Sequence, residues 1–395
     1  MGPPSESKPT MASVLERFWP GYEKAHGSSM PPAHRKAAKA LMACRTPAMG
    51  GHLVRCQKCE VVEFNYHSCR HRACPKCSGS ANHDWLEARR DEILPVRYFH
   101  IVFTVPEELR KLIRRHQRLA YPVLLDAVGS TLRDVAADSR NWGGTIGAMM
   151  VLHTWSRTLT YHPHVHCLVP SGYLDADKEW HEVRRGWFAS RKVLATVFRA
   201  KLLAGLRAAV SGLQIPGPVC HKRWVVHVDR PRHGTDVVLK YLARYVHRVA
   251  LSDHRILAIT DTHVTFKYKD AERKNWRVMT VSGRNFIYLF MQHVLPKHLH
   301  KVRYFGFWSR SQRPLLRALR QKLLEKAAKK SAPKPPAEQP TNENVTPFYL
   351  KCPHCEGGVR EVLGRYNPAM VKMMLQHDPT LKTWSRPPPD HAVAA

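Results

Sequence analysis

The spacing of apolar and polar positions divides the chain into recognisable stretches. Residues 12–45 alternate apolar and charged positions at helical spacing, broken once at Gly27-Ser28-Ser29-Met30-Pro31-Pro32, which predicts two helices. Residues 50–80 lose that periodicity and fill with Cys, His and turn residues, and residues 81–95 return to a helical pattern around Trp85, Leu86 and Ile93. From Tyr98 the pattern becomes β-branched and aromatic until Pro106 stops it. A helix is expected over 107–139, then two strands, GAMMVLHTW and HPHVHCLVPSG. A helix over 188–210, the strand RWVVHVDRP, a helix over 236–249 and the short strands RILAITD, HVTFKYKD and WRVMTVS follow. The order β-α-β-β-α-β-α-β predicts an α+β fold, an antiparallel, ferredoxin-like palm with helices packed on it.

This pattern implies five segments. They are a helical and Cys-rich N-terminal domain (12–95), a palm domain (96–283), a basic helical extension (284–326), a Pro-rich polar linker (327–346) and a tail (347–395).

Charge narrows the partners. Lys and Arg number 63 against 31 Asp and Glu, a formal net charge of +32. Such an excess repels itself in the compact state and calls for an anionic partner, a nucleic acid before a membrane surface. No apolar run reaches the length of a membrane span, and the N-terminus has no secretory apolar region. Glu6 stands where a myristoylation signal needs Ser or Thr. The expected compartment is the cytoplasm, alongside the nucleoid, where thiols stay reduced and the ten cysteines read as metal ligands.

Cys56-x2-Cys59 and Cys74-x2-Cys77 stand 14 residues apart. Two such knuckles can present four thiolates tetrahedrally to Zn²⁺, and four thiolates leave no open position, so the expected metal is structural. Cys69, His52, His67 and His71 lie near enough to replace a ligand or build a second site. Cys352-x2-Cys355 is half a site, to be completed by His354 or a distant residue, or left without a metal.

In His162-Pro163-His164-Val165-His166 the three imidazoles share one face, because strand side chains alternate. His298 and His300 repeat the spacing in a basic segment after a proline and read as a solvated or DNA-facing pair. Tyr241 and Tyr245 are four apart, about 40° round a helix, and Lys240, Arg244 and Arg248 surround them. A tyrosine beside a metal held by His164 and His166 is suited to phosphodiester chemistry. The metal polarises the phosphate, and the tyrosine oxygen attacks phosphorus.

With these residues in view, HPHVHCLVPSG resembles the His-hydrophobe-His motif of HUH endonucleases. More closely, the chain is similar to the rolling-circle insertion-sequence transposases of the ninety-one family. ACRTPAMGGHLVRCQKC, NYHSCRHRACPKC, LPVRYFHIVFTVP, TWSRTLTYHPHVHCLVPSG, YLARYVHRVALS and HVLPKHLHKVRYFGF carry the likeness in the family's order. It implies an N-terminal zinc-binding domain and an HUH domain that nicks single-stranded DNA through a 5′-phosphotyrosine with Mg²⁺ or Mn²⁺. It further implies His164 and His166 as the metal pair and Tyr241 and Tyr245 as nucleophiles. No third ligand carries over. His162 shares the strand face, but Pro163 intervenes, and Arg157 departs from the polar amide common in relatives. The partners expected are single-stranded DNA at element ends and target, and a host helicase or replication machinery, since the chain has no GxxxxGK[ST] loop. The rival readings are a rolling-circle replication initiator and a zinc-stapled DNA-binding protein without chemistry.

Overall fold

The computed structural model describes residues 8–79, 85, 89–183, 186, 188–231, 246, 248–270, 272–330, 351–378 and 381–384. The described elements are α1 (Met11–His26), α2 (Pro32–Ala43), β1 (Gly51–Cys56), β2 (Val62–Tyr66), β3 (Tyr98–Thr104), α3 (Glu107–Arg115) and α4 (Gln117–Ala137). They continue as β4 (Ala148–Trp155), β5 (Tyr161–Pro170), β6 (Gly172–Leu174), β7 (Trp180–Glu182), α5 (Arg191–Ala209), α6 (Gly217–His221) and β8 (Val226–Val228). Then come β9 (Ile256–Ile259), β10 (His263–Lys269), β11 (Trp276–Ser282), α7 (Gly283–Met291), β12 (Val302–Phe305), α8 (Arg313–Lys330), β13 (Arg360–Tyr366), α9 (Pro368–His377) and β14 (Lys382–Trp384).

The palm is a five-stranded sheet in the order β12-β4-β5-β3-β8, antiparallel at every pairing. It is the α+β architecture that the element order predicts. Strand alternation gives it two unlike faces. Phe99, Ile101 and Phe103 of β3, Ala148, Met150 and Leu152 of β4, and Val165, Cys167 and Val169 of β5 are buried in one core with α4 and α5. Phe103 meets Phe198 of α5 edge-on at 5.0 Å. The residues between them turn the other way, so the histidines of β3, β4, β5 and β8 share the opposite face. Met149, Val151 and Leu168 close part of that face against Trp308 and α8.

Two features depart from the pattern read along the chain. β9, β10 and β11 form a sheet of their own, and their buried Ile256, Val264 and Phe266 share a core with α1, α2 and α7. β12 lies inside the stretch expected to be helical over 284–326 and pairs with β4 at the palm's edge. It is short, and VRYF between basic residues carries too little alternation to signal a strand. Of the helix expected over 81–95, the described part beyond Trp85 holds one 3-10 turn, Arg90–Glu92.

β1 and β2 form a hairpin that the tail enlarges. The sheet order is β13-β1-β2-β14, so strands 360–366 and 382–384 flank the hairpin on both sides.

Candidate functional site: a histidine triad and two cysteine clusters

His164 and His166 project from the same face of β5, as the alternation requires. The third imidazole that meets them is His153 of β4, directly opposite His164 in the antiparallel register. Ring nitrogens of His153, His164 and His166 all lie within 4.8 Å of one another. His162 stays outside the triad. Its contribution is its backbone carbonyl, which accepts a hydrogen bond from His164 Nδ1 at 2.7 Å.

His166 is oriented by a second chain of contacts. Asp229 Oδ2 accepts from His100 Nδ1 at 2.7 Å, and His100 Nε2 lies 2.9 Å from His166 Nδ1. With the carboxylate fixing the proton on His100 Nδ1, His100 Nε2 accepts and His166 Nδ1 donates. His164 and His166 thus both carry their lone pair on Nε2. Burial pushes His164 down to about 4 and His166 well below the ordinary histidine value, so both are neutral imidazoles near neutral pH. The hydrogen bond from His100 holds the Asp229 carboxyl well below the usual carboxylate range. Three imidazole ring nitrogens on adjacent strands of one sheet form a donor set that fits a divalent cation.

Tyr241 and Tyr245 lie outside the described residues. The next described residue, Val246, is buried in the cluster that also holds Met149, Val151, Leu168 and Trp308. Arg248 is close enough that its charge adds to the lowering of His164 and His166.

The cysteines group differently from the expected set of Cys56, Cys59, Cys74 and Cys77. Cys74 and Cys77 join Cys44 and Cys69, and Cys56 and Cys59 join Cys352 and Cys355. The hairpin explains the correction. Cys56 and Cys59 sit at its tip, while Cys44 and Cys69 flank its base, where Arg45 N donates to His67 O and His67 N to Gly50 O. At roughly 3.3 Å per residue, the five steps from Gly51 to Cys56 carry the first pair about 16 Å from the second. Cys69 Sγ lies 3.8 Å from Cys77 Sγ, and Cys44 Sγ accepts from Cys69 N at 3.4 Å. His52, His67 and His71 take no place in either cluster. His52 and His67 face each other at 3.3 Å, and His71 Nδ1 accepts from Ala73 N. Cys44 carried no Cys-x2-Cys signal, and only the fold brings it in.

Beside the Cys44 cluster runs a cleft of about 1130 Å³, lined by Cys69, Arg70, Arg72, Arg114, Arg115 and Lys297 among others. Arg72 is tied by its guanidinium to Leu299 O and Pro296 O, which fixes the cysteine loop against the palm.

The two four-cysteine clusters and the histidine triad on the five-stranded sheet describe a protein built around candidate metal sites, in a strongly basic chain that suits a nucleic-acid partner. Comparison with known proteins agrees. Residues 147–314 match the family described as "Putative transposase", and residues 14–105 match the "Transposase zinc-binding domain". The chain is 38% identical over 323 residues to a "Putative transposase y4qJ" of Sinorhizobium fredii, covering 77% of this chain and 81% of that protein. It is 27% identical over 287 residues to the "Transposase for insertion sequence element IS801" of Pseudomonas savastanoi, covering 68% of each. A solved structure of the conjugative relaxase TrwC with oriT DNA, metal-free, shares 12% identity at a TM-score of 0.23 over 58% of this chain and 71% of that one. The chain belongs to the insertion-sequence transposases of the ninety-one family. Among the described residues, no helix is long and apolar enough to cross a membrane.

Proposed function

We propose that this transposase nicks and rejoins single-stranded DNA at the ends of its element, through a 5′-phosphotyrosine and a rolling-circle route. The observation that carries the reading is the convergence of the buried His153 with the half-buried His164 and His166 as a triad of imidazoles. A divalent cation held there, Mg²⁺ or Mn²⁺, supplies Lewis-acid polarisation of the scissile phosphate. An all-nitrogen protein set suits Mn²⁺ better than Mg²⁺, which prefers oxygen ligands.

The chain's own groups do the rest. The His162 carbonyl and the Asp229–His100 pair engage Nδ1 of His164 and His166, which leaves Nε2 of each to ligate. Burial keeps them neutral and ready to ligate. Tyr241 and Tyr245 are the nucleophiles in this reading. The phenolic oxygen loses its proton and bonds to phosphorus, and the bond to the 3′ oxygen breaks. That oxygen leaves as a 3′-hydroxyl after taking a proton. The 5′ end stays on tyrosine until another 3′-hydroxyl displaces it, so bond energy is conserved and no nucleotide cofactor is needed. The burial of Val246 in the cluster that covers part of the histidine face supports this role for the segment just before it.

Zn²⁺ at Cys44, Cys69, Cys74 and Cys77 stiffens the loop that presents Arg70 and Arg72 to the basic cleft. Phosphate contacts there supply affinity without sequence preference. Unwinding falls to a host helicase or the replication machinery.

The test is incubation of the purified protein with labelled oligonucleotides spanning an element end, with Mn²⁺ or Mg²⁺. A covalent adduct mapped by mass spectrometry to Tyr241 or Tyr245 is expected, and none with both changed to Phe. An adduct on another residue, or equal nicking in EDTA, overturns the reading.

A further inference from the structure

Cys352 and Cys355 follow the Pro-rich stretch, some three hundred residues after Cys56 and Cys59, yet their sulfurs meet. Cys56 Sγ lies 3.7 Å from Cys355 Sγ, and Cys59 Sγ lies 3.7 Å from Cys352 Sγ. All four fall within 4.8 Å of one another. A disulfide needs about 2.05 Å. The edge of a tetrahedron with Zn–S bonds of 2.3 Å is roughly 3.8 Å, which these separations match. The backbone is arranged for thiolates. Lys58 N and Cys59 N donate to Cys56 Sγ, and His354 N donates to Cys352 Sγ. The turn after Cys355 is shaped round the sulfurs. A Cβ on Gly358 would stand 2.5 Å from Cys355 Sγ and 2.7 Å from Cys56 Sγ, and Gly357 takes a φ of +71°. No larger residue fits against the cluster there.

The surroundings join the same two parts of the chain. Cys352 N donates to Gly358 O, closing the tail's own knuckle, and Gln57 N donates to Val359 O, joining it to the hairpin. β13 pairs with β1 along its length. Glu63 of β2, buried, accepts from Arg360 Nη1 at 3.1 Å and from His354 Nε2 at 3.0 Å. Val371 of α9 packs on Leu53, Phe64 and Tyr66 of the hairpin. His354, offered by the sequence as a ligand, is taken up by that carboxylate.

We propose that Cys56, Cys59, Cys352 and Cys355 hold a second structural Zn²⁺, one that clasps the tail onto the N-terminal hairpin. The zinc module is then built from both sides of the palm, with the catalytic sheet as an insertion within it. Each site takes one cation into four thiolates, which lose their thiol protons on binding. The region matched by the zinc-binding family ends at residue 105 and contains only half of this site.

The wild-type full-length protein tests this without mutation. Metal analysis should give about two Zn²⁺ per chain. Alkylation followed by mass spectrometry should find Cys352 and Cys355 shielded together with Cys56 and Cys59, all four becoming reactive in step under a chelator. One Zn²⁺ per chain, or Cys352 and Cys355 reacting freely while Cys56 and Cys59 stay shielded, overturns the proposal. In Cys352→Ser/Cys355→Ser and in Cys56→Ser/Cys59→Ser alike, Zn²⁺ should fall to about one per chain. Amide protection over 360–366 should be lost equally in both. Either variant retaining the full complement overturns it.

Discussion

Asp229 acts on His166 without touching it. Its Oδ2 binds His100 Nδ1 at 2.7 Å, and His100 Nε2 meets His166 Nδ1 at 2.9 Å. The carboxylate therefore decides which nitrogen of His166 is left to ligate. Asp229→Ala should weaken Mn²⁺ binding by roughly tenfold to a hundredfold, the range found for such outer partners, with the fold retained. His227→Ala, which removes only the other contact of Asp229, should leave affinity close to wild type. Titration followed by electron paramagnetic resonance reads both, and equal loss in the two variants would count against the relay.

His153 and His162 should separate cleanly. His153→Ala removes a member of the triad and should abolish nicking and metal binding. His162→Ala keeps the carbonyl that holds His164, so nicking should persist at a substantial fraction of the wild-type rate. If the second variant is the dead one, the third ligand has been misassigned.

Cys44→Ser should release one Zn²⁺ and weaken binding to single-stranded DNA, because the loop bearing Arg70 and Arg72 loses its anchor. Had Cys56, Cys59, Cys74 and Cys77 formed a single site, Cys44 would not matter. Zinc content and a salt-dependent binding titration decide between the two arrangements.

Acid should destabilise the metal-free protein. Burial lowers His34, His71, His164 and His293 to about 4 from 6.5. A histidine whose folded pKa is depressed binds fewer protons folded than unfolded. Its contribution is full above about pH 6.5 and is lost as pH falls towards 4. The thermal midpoint of chelated protein should drop steadily across that window. A flat profile there would show that these rings are not held neutral.

The palm was legible because its strands alternate. That Phe99, Ile101 and Phe103 share one face of β3, and His164 and His166 one face of β5, follows from period two within each strand. His153 was not legible, since its place opposite His164 is a matter of register between strands, which β4 by itself does not encode. His100 and Asp229 were hidden likewise, on strands whose neighbours are set by topology. The cysteine pairs were visible as pairs, but the hairpin between them, running from Gly51 to Tyr66, sends each towards a different partner. For the tail, Cys352 and Cys355 announced a half-site whose other half stood near the opposite end of the chain.

That separation puts folding on a clock. Cys56 and Cys355 are 299 positions apart, so bringing them together without the palm between them would cost about 5 kcal/mol in chain entropy. At about 5–20 residues per second on the ribosome, the tip of the hairpin waits roughly 15–60 s for its partners to be made. During that wait the nearest Cys-x2-Cys pair is Cys74 and Cys77, the grouping that local spacing favours and the finished fold rejects. The nascent hairpin therefore has a ready wrong mate. Folding Cys44, Cys69, Cys74 and Cys77 first, all of them encoded before residue 80, removes that mate and leaves the tip waiting for the tail.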